Sequence, residues 1–190
     1  MASEQKRILL LASGSGSLAQ AIFDSSLMNQ CEVVGLVSDK QSMALDRARS
    51  AGVKDYFLPM RENRSTWDSE IYALTESLTP DLVVSVGFMR ILSPEYVNRF
   101  KVINTHPALL PAFPGAHAVR DALAAGLSET GTSVHWVDAG VDTGPVIAQR
   151  AVAITPGESE ETLHERIKIV ERDLIVETLT AWLQEDDGAR

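Results

Sequence analysis

The chain has 190 residues, of which 45% are hydrophobic, and its formal net charge at pH 7 is −9. The negative charge argues against a nucleic-acid surface, because phosphate backbones are bound by clustered Lys and Arg. No apolar run approaches the roughly 18 residues of a membrane-spanning helix, so we expect no membrane insertion.

The first residues of the chain help to predict its cellular compartment. Residues 1–7 are polar and lack the long apolar segment of a secretion signal, so we expect a cytoplasmic protein. The single cysteine, Cys31, agrees with this location and is expected in the core. For the oligomeric state we expect a monomer or a homodimer.

Strand and helix patterns alternate through the first half of the chain. Apolar β-type runs occupy residues 7–12, 32–38, 55–58 and 82–86, and helical patterns separate them. This alternation predicts a mainly parallel sheet with helices on both faces.

The first strand is followed by the Gly-rich turn Ser13-Gly14-Ser15-Gly16-Ser17. Such a turn at a helix start can surround a phosphate with backbone N–H groups, and Ser17 is the predicted helix cap and hydroxyl donor. A tight connection without a ligand is the alternative. The turn also fits the dinucleotide pattern G-x-G-x-x-A, with Asp39 about twenty residues further on, so an NAD-binding oxidoreductase module remains a rival hypothesis.

The fourth strand leads into the apolar loop 87–92. Loops at the carboxyl ends of strands bind ligands in open α/β sheets, which favours a pocket wall here. Core packing is an equal alternative for Phe88 and Ile91.

The next strand carries the candidate catalytic residues. Asn104 and His106 are two apart in extended chain, so their side chains point the same way, and Pro107 prevents a helix after them. Asp142 lies far downstream in a Gly-flanked turn suited to approach them. An amide donor, an imidazole and a carboxylate are the groups that acyl transfer requires.

The last third of the chain predicts an antiparallel edge and a long helix. Residues 130–137 and 145–154 form the edge pair, and the helix begins after Ser159. Glu171 lies next to the apolar stripe of this helix, and the pattern alone favours a solvated carboxylate. The predicted fold is therefore a Rossmann-like, open, mainly parallel sheet with an antiparallel edge towards the C-terminus, in one domain spanning residues 1–190.

The other histidines and the cysteine give no metal-binding pattern. With one cysteine and no pair of histidines at helical spacing, we expect no metal. His117 and His135 are candidates for supporting the catalytic residues.

Five ordered segments together resemble the folate-dependent formyltransferases. They are Ser13 to Ser17, Gly87 to Ser93, Asn104 to Pro111, Gly131 to His135 and Asp142 to Pro145. The resemblance implies that a formyl group passes from 10-formyltetrahydrofolate to the primary amine of glycinamide ribonucleotide. It also implies that Asn104, His106 and Asp142 are catalytic. Hydrolysis of 10-formyltetrahydrofolate, or formylation of another amine, remains an alternative.

The resemblance also assigns the two binding regions. For the ribonucleotide it implies Gly14, Ser15, Gly16, Ser17, Leu18 and Glu171. For the folate it implies Arg64, Met89, Arg90, Ile91, Leu92 and Asn104, with the pterin near Val141. The family commonly has Asn after Gly-Ser in the phosphate turn, but this chain has Leu18, so we expect weaker ribonucleotide binding and an unchanged reaction.

Overall fold

The computed structural model describes residues 5–185. The strands are β1 Arg7–Ala12, β2 Glu32–Ser38, β3 Asp55–Phe57, β4 Leu82–Ser85, β5 Val102–His106, β6 Glu129–Trp136 and β7 Val146–Ala153. The helices are α1 Ser17–Phe23, α2 Met43–Ser50, α3 Arg64–Leu78, α4 Pro94–Arg99, α5 Ala118–Ala124 and α6 Glu160–Gln184, with a short 3-10 helix at Ser26–Asn29. Within residues 5–185, every helix is too short or too polar to cross a lipid bilayer.

All seven strands form one sheet in the order β3-β2-β1-β4-β5-β6-β7. The first five strands in this order, β3, β2, β1, β4 and β5, are parallel to one another, whereas β6 runs antiparallel to both β5 and β7. The predicted mainly parallel sheet with an antiparallel C-terminal edge is therefore confirmed. The single domain over residues 1–190 stays a prediction, because it includes ends that lie outside the described residues.

Helices cover both faces of the sheet. The side chains of β1 alternate in direction, so they pack into two separate cores. Ile8 and Leu10 pack with the α1, α2 and α6 side of the sheet, and Leu9 packs with the α3 and α4 side. On that second side the large rings of Trp67 and Tyr96 are fully buried. The near-continuous apolar run of β1 is the expected signature of a strand buried on both faces.

The order of the strands reverses between β1 and β4, and ligands of open α/β sheets bind at this position. Here the chain leaving β1 meets the chain leaving β4, because the Ser13 N–H donates to the Gly87 carbonyl over 3.0 Å. The Gly-rich turn and the loop 87–92 are therefore neighbours.

The packing of β1 gives a stability prediction. Leu10→Ala removes a fully buried side chain and should lower the free energy of unfolding by about 2–5 kcal/mol. Met43→Ala changes an exposed side chain on α2 and should stay within about 0.5 kcal/mol of wild type. Urea unfolding followed by circular dichroism measures both, and equal transition midpoints for the two variants would contradict this packing.

Candidate active site

The Gly-rich turn is held by the start of α2. Gly16 has a φ of 71°, and a Cβ atom at this position would lie 2.6 Å from Cα of Ala44, so only glycine fits. The carbonyl of Gly14 accepts from the Ala44 N–H over 3.3 Å, and the carbonyl of Ser15 accepts from Nε of Arg47 over 2.9 Å. Within residues 5–185 no acceptor takes an N–H of residues 14–17. The turn thus uses carbonyls to anchor itself and keeps its N–H groups available.

One detail of this turn differs from the prediction. The predicted cap Ser17 is wrong, because the left-handed backbone of Gly16 makes Gly16 the cap and puts Ser17 inside the helix. Leu18 is buried in the core beneath the turn, so only its N–H could reach a ligand.

The loop 87–92 exposes apolar side chains. Met89 and Ile91 are 73% and 62% exposed, whereas Phe88 is buried and stacks on Trp67 with 6.1 Å between ring centroids. The alternative of core packing therefore holds for Phe88 and for the buried Leu92, and it is wrong for Ile91.

Arg64 begins α3 and reaches this loop. Its Nη2 donates to the carbonyl of Ile91, and its Nε is 2.8 Å from Oδ1 of Asp68. The guanidinium also stacks over Trp67, at 5.2 Å from the ring centroid. A cation is thus fixed at the outer end of the loop.

His106 lies at the carboxyl end of β5 and uses both ring nitrogens. Its Nδ1 is 3.4 Å from Oδ2 of Asp142, and its Nε2 is 2.8 Å from the carbonyl oxygen of Phe113. A carbonyl oxygen can only accept, so Nε2 carries a proton. Nδ1 is therefore the ring nitrogen that faces the Asp142 carboxylate.

His135 joins the same cluster from β6, where it is paired directly with Asn104 across the strands. Its Nε2 lies 3.4 Å from Oδ1 of Asp142 and 3.4 Å from Nδ2 of Asn104. Its Nδ1 donates to the carbonyl of Trp136 over 2.9 Å. His135, expected only as a supporting residue, thus contacts two members of the predicted trio directly.

The backbone of the 138–145 loop brings Asp142 to the imidazoles. Asp142 has a φ of 53°, which is rare for a residue with a side chain, and a Cβ at Gly144 would overlap the carbonyl oxygen of Trp136. The Gly115 N–H donates to Oδ2 of Asp142 over 2.8 Å. The hydrogen bond with His135, followed by the Gly115 N–H and the charge of His106, holds the pKa of Asp142 below its usual range against the effect of burial.

Glu171 is buried on α6, so the solvated position favoured by its sequence pattern is wrong. Burial raises the pKa of Glu171, and a hydrogen bond with Thr105 partly opposes that shift. Thr105 lies between Asn104 and His106 in β5, so Glu171 adjoins the strand that carries them.

His117, predicted as a supporting residue, lies outside this cluster. It is exposed at the start of α5, and no hydrogen bond or ion pair within residues 5–185 joins it to the trio. No group of three or more His, Cys, Asp or Glu in the same part of the chain has a metal-binding arrangement. That no metal is needed stays a prediction.

Two main-chain groups, which the sequence did not predict, hold the catalytic candidates in place. Phe113 contributes its carbonyl and Gly115 its N–H, and both lie in the Pro-rich loop after β5. Backbone contacts depend on the path of a loop and leave no mark in side-chain patterns. The prolines of this loop were the only sequence signal that its path is fixed.

The family model described as formyl transferase matches residues 6–179. This chain belongs to the formyl transferase family. Its relatives include the phosphoribosylglycinamide formyltransferase of Mycobacterium tuberculosis, 47% identical over 184 residues that cover 94% of this chain and 86% of the relative. The Escherichia coli protein of the same name is 40% identical and covers 86% of this chain and 81% of its own length.

Solved structures of formyl transferases share the fold as well. The glycinamide ribonucleotide transformylase 1 of Geobacillus kaustophilus superposes with a TM-score of 0.89 at 40% identity, covering 95% of this chain and all of that one. The resemblance inferred from five sequence segments is therefore confirmed, and so is the prediction of an enzyme.

The lowered pKa of Asp142 predicts how stability depends on pH. Its ionised form stabilises the folded state above the ordinary carboxyl pKa of about 4, and this contribution disappears as the pH falls through the lowered folded-state pKa. Asp142→Asn should therefore be less stable than wild type near neutral pH, and the difference should shrink in acid.

Urea unfolding at a series of pH values measures this difference. Asp173→Asn, which changes an exposed carboxyl on α6, is the matched control and should follow wild type throughout. A deficit for Asp142→Asn that stays constant from neutral pH into acid would contradict the linkage.

Proposed function

We propose that this chain transfers the formyl group of 10-formyltetrahydrofolate to the primary amine of 5'-phosphoribosylglycinamide. The products are formylglycinamide ribonucleotide and tetrahydrofolate, a step of de novo purine biosynthesis. One observation carries the proposal: an amide, two imidazoles and a carboxylate meet at the end of β5 in a chain of the formyl transferase family. The names of the relatives support the choice of acceptor.

The reaction needs a group that stabilises negative charge on the formyl oxygen. The amine attacks the formyl carbon in its neutral form, after an ammonium has lost one proton, and a new C–N bond forms. The attacking nitrogen then releases a proton, N10 of the folate takes one up, and the bond between the formyl carbon and N10 breaks. Asn104 Nδ2 and protonated His106 are the proposed donors to the oxyanion. Nε2 of His106 faces the Phe113 carbonyl and Nδ1 faces Asp142, so the oxyanion is proposed to replace one of these two partners when the formyl group binds.

Asp142 is proposed to hold both imidazoles in place while the oxyanion forms. Its anion lies 3.4 Å from a ring nitrogen of His106 and 3.4 Å from a ring nitrogen of His135. His135 is also paired with Asn104 across the strands, so it is proposed to position the Asn104 amide.

The folate is proposed to lie along the loop 87–92. Met89 and Ile91 offer exposed apolar surface to its rings, and Val141 is half exposed beside Asp142, where the pterin would fit. Arg64 suits the carboxylates of the tail, because a guanidinium can bind a carboxylate through two hydrogen bonds. Arg90 and Leu92 turn their side chains to protein, so their contribution is the main chain.

The ribonucleotide is proposed to bind at the other side of the strand reversal. The available N–H groups of residues 14–17 and the hydroxyl of Ser17 suit its phosphate, and the Leu18 N–H can join them. Glu171 suits the glycinamide amine, because an incoming cation offsets the cost of ionising a buried carboxyl.

A folate-absorbance assay tests this function directly. Wild type should deformylate 10-formyltetrahydrofolate only when phosphoribosylglycinamide is present. Deformylation without any amine would identify a hydrolase, and NADH binding without folate turnover would support the oxidoreductase alternative. Against the latter, the side chain of Asp39 is completely buried and paired with Arg90, so a ribose hydroxyl cannot reach it without a rearrangement.

Variants of the trio test its roles. His106→Ala and Asn104→Ala each remove an oxyanion donor, and loss of one such donor typically lowers kcat by about 10²- to 10³-fold. Affinity for the ribonucleotide should stay close to wild type in both. The exposed His117→Ala is a matched imidazole control with full activity expected, and wild-type kcat in His106→Ala would remove that residue from the mechanism.

Glu171→Gln should separate stability from substrate binding. Burial raises the pKa of Glu171, so its folded-state contribution is favourable at low pH and is lost as the pH rises through the raised pKa. The neutral variant should thus be at least as stable as wild type at pH 8, yet it should show a higher KM for the ribonucleotide. Thermal unfolding and steady-state kinetics measure the two effects, and an unchanged KM would place the amine elsewhere.

The cytoplasmic location, the oligomeric state and the identity of 10-formyltetrahydrofolate as formyl donor stay predictions from the sequence. The family relation supports the donor, because all parts of the proposed folate surface lie within the matched residues.

A further inference from the structure

Three consecutive residues of the loop 87–92 are held by three different parts of the protein. The Met89 N–H donates to Oγ of Ser13 over 2.8 Å, and the carbonyl of Ile91 accepts from Arg64. Between them, Nε of Arg90 lies 2.6 Å from Oδ2 of Asp39, just past the end of β2. The proposed folate surface is thus tied to the protein at each of its exposed residues.

The contact with Asp39 is the most constrained of the three. The side chain of Asp39 is completely buried, whereas that of Arg90 is one-third exposed. Oδ1 of Asp39 has no hydrogen-bond partner within residues 5–185, so Arg90 is the cation on which this carboxylate depends. A buried carboxylate that loses its cation is strongly destabilised, and this keeps the Arg90 side chain turned inward.

The two neighbours of Arg90 in the loop face solvent while Arg90 faces Asp39. Met89 and Ile91 are 73% and 62% exposed, the highest values among the large hydrophobic side chains of residues 5–185. Together they form an exposed apolar surface, and such surfaces mark binding sites.

We propose that Asp39 is a positioning residue for folate binding, acting through Arg90 to present Met89 and Ile91 to the folate rings. The inference rests on the proposed function, since it assigns the ligand of that surface. It also gives a role to the acidic residue that the dinucleotide pattern would assign to a ribose hydroxyl. In this chain Asp39 supports the loop 87–92, which is the proposed folate surface.

Asp39→Asn tests the role of the carboxylate. The variant keeps the shape of the side chain and removes its charge, so Arg90 is released towards solvent. The KM for 10-formyltetrahydrofolate and the Kd for tetrahydrofolate, measured by calorimetry, should rise on the order of tenfold, as when the support of a binding residue is lost. The KM for the ribonucleotide and kcat at saturation should stay within about twofold of wild type. Asp46→Asn, an exposed carboxyl on α2, is the control and should leave all four constants unchanged.

A double variant distinguishes positioning from a general structural defect. Arg90→Met alone leaves the carboxylate of Asp39 buried without its cation, whereas Asp39→Asn with Arg90→Met removes both charges. Tetrahydrofolate should therefore bind more tightly to the double variant than to Arg90→Met, although each contains the same change in the loop. If the two single effects simply add, or if Asp39→Asn raises both KM values equally, the proposal is wrong.

Hydrogen exchange separates this inference from the proposed function. The amides of residues 88–92 should exchange faster in Asp39→Asn than in wild type, and added tetrahydrofolate should protect them in wild type. Protection by tetrahydrofolate in wild type and faster exchange in Asp39→Asn, without transfer to phosphoribosylglycinamide, would overturn the proposed acceptor and support the role of Asp39. Transfer with no change of exchange or folate affinity in Asp39→Asn would overturn the role of Asp39 alone.

Discussion

One carboxylate held between two imidazoles organises the candidate site. Asp142 reaches His106 with one oxygen and His135 with the other, at 3.4 Å in each case, and the Gly115 N–H fixes the first oxygen. The hydrogen bonds with His135 and the Gly115 N–H stabilise the ionised carboxyl. They lower the pKa of Asp142, although burial opposes this shift. The strained backbone at Asp142 is maintained by the same contacts. The carboxylate of Asp142 is therefore held in one position between the two imidazoles.

The strand order explains how two substrates can meet at this charge. The sheet reverses between β1 and β4, so the Gly-rich turn after β1 and the loop after β4 adjoin each other. β5, next to β4, carries Asn104 and His106 at its own carboxyl end. The antiparallel strand β6 then returns His135 to face Asn104. Groups far apart in sequence converge because parallel strands end at one edge of the sheet.

Much of this arrangement follows from local sequence rules. The alternation of strand and helix patterns predicts the parallel sheet, and period-two alternation predicts that Asn104 and His106 point the same way. Local rules fail where the path of a loop decides the outcome. The helix cap falls on Gly16 and not on Ser17, because only glycine fits against Ala44.

Long-range packing accounts for the other differences. Glu171 is buried because α6 packs against β6 and β7 and brings Glu171 to Thr105 of β5, and a helical pattern cannot reveal such long-range contacts. The direct contact of His135 with Asp142 required the register between β5 and β6. The Asp39 and Arg90 pair joins residues 51 positions apart, and no spacing rule links them.

We propose that the formyl group reacts between Asn104 and His106, beside Asp142. A crystal structure with phosphoribosylglycinamide and an unreactive formyl-folate analogue would show where the formyl group binds. We expect its oxygen within hydrogen-bonding distance of Asn104 Nδ2 and a ring nitrogen of His106, with the amine of the ribonucleotide facing the formyl carbon. A formyl group bound away from both side chains, with Asp142 turned to solvent, would contradict it.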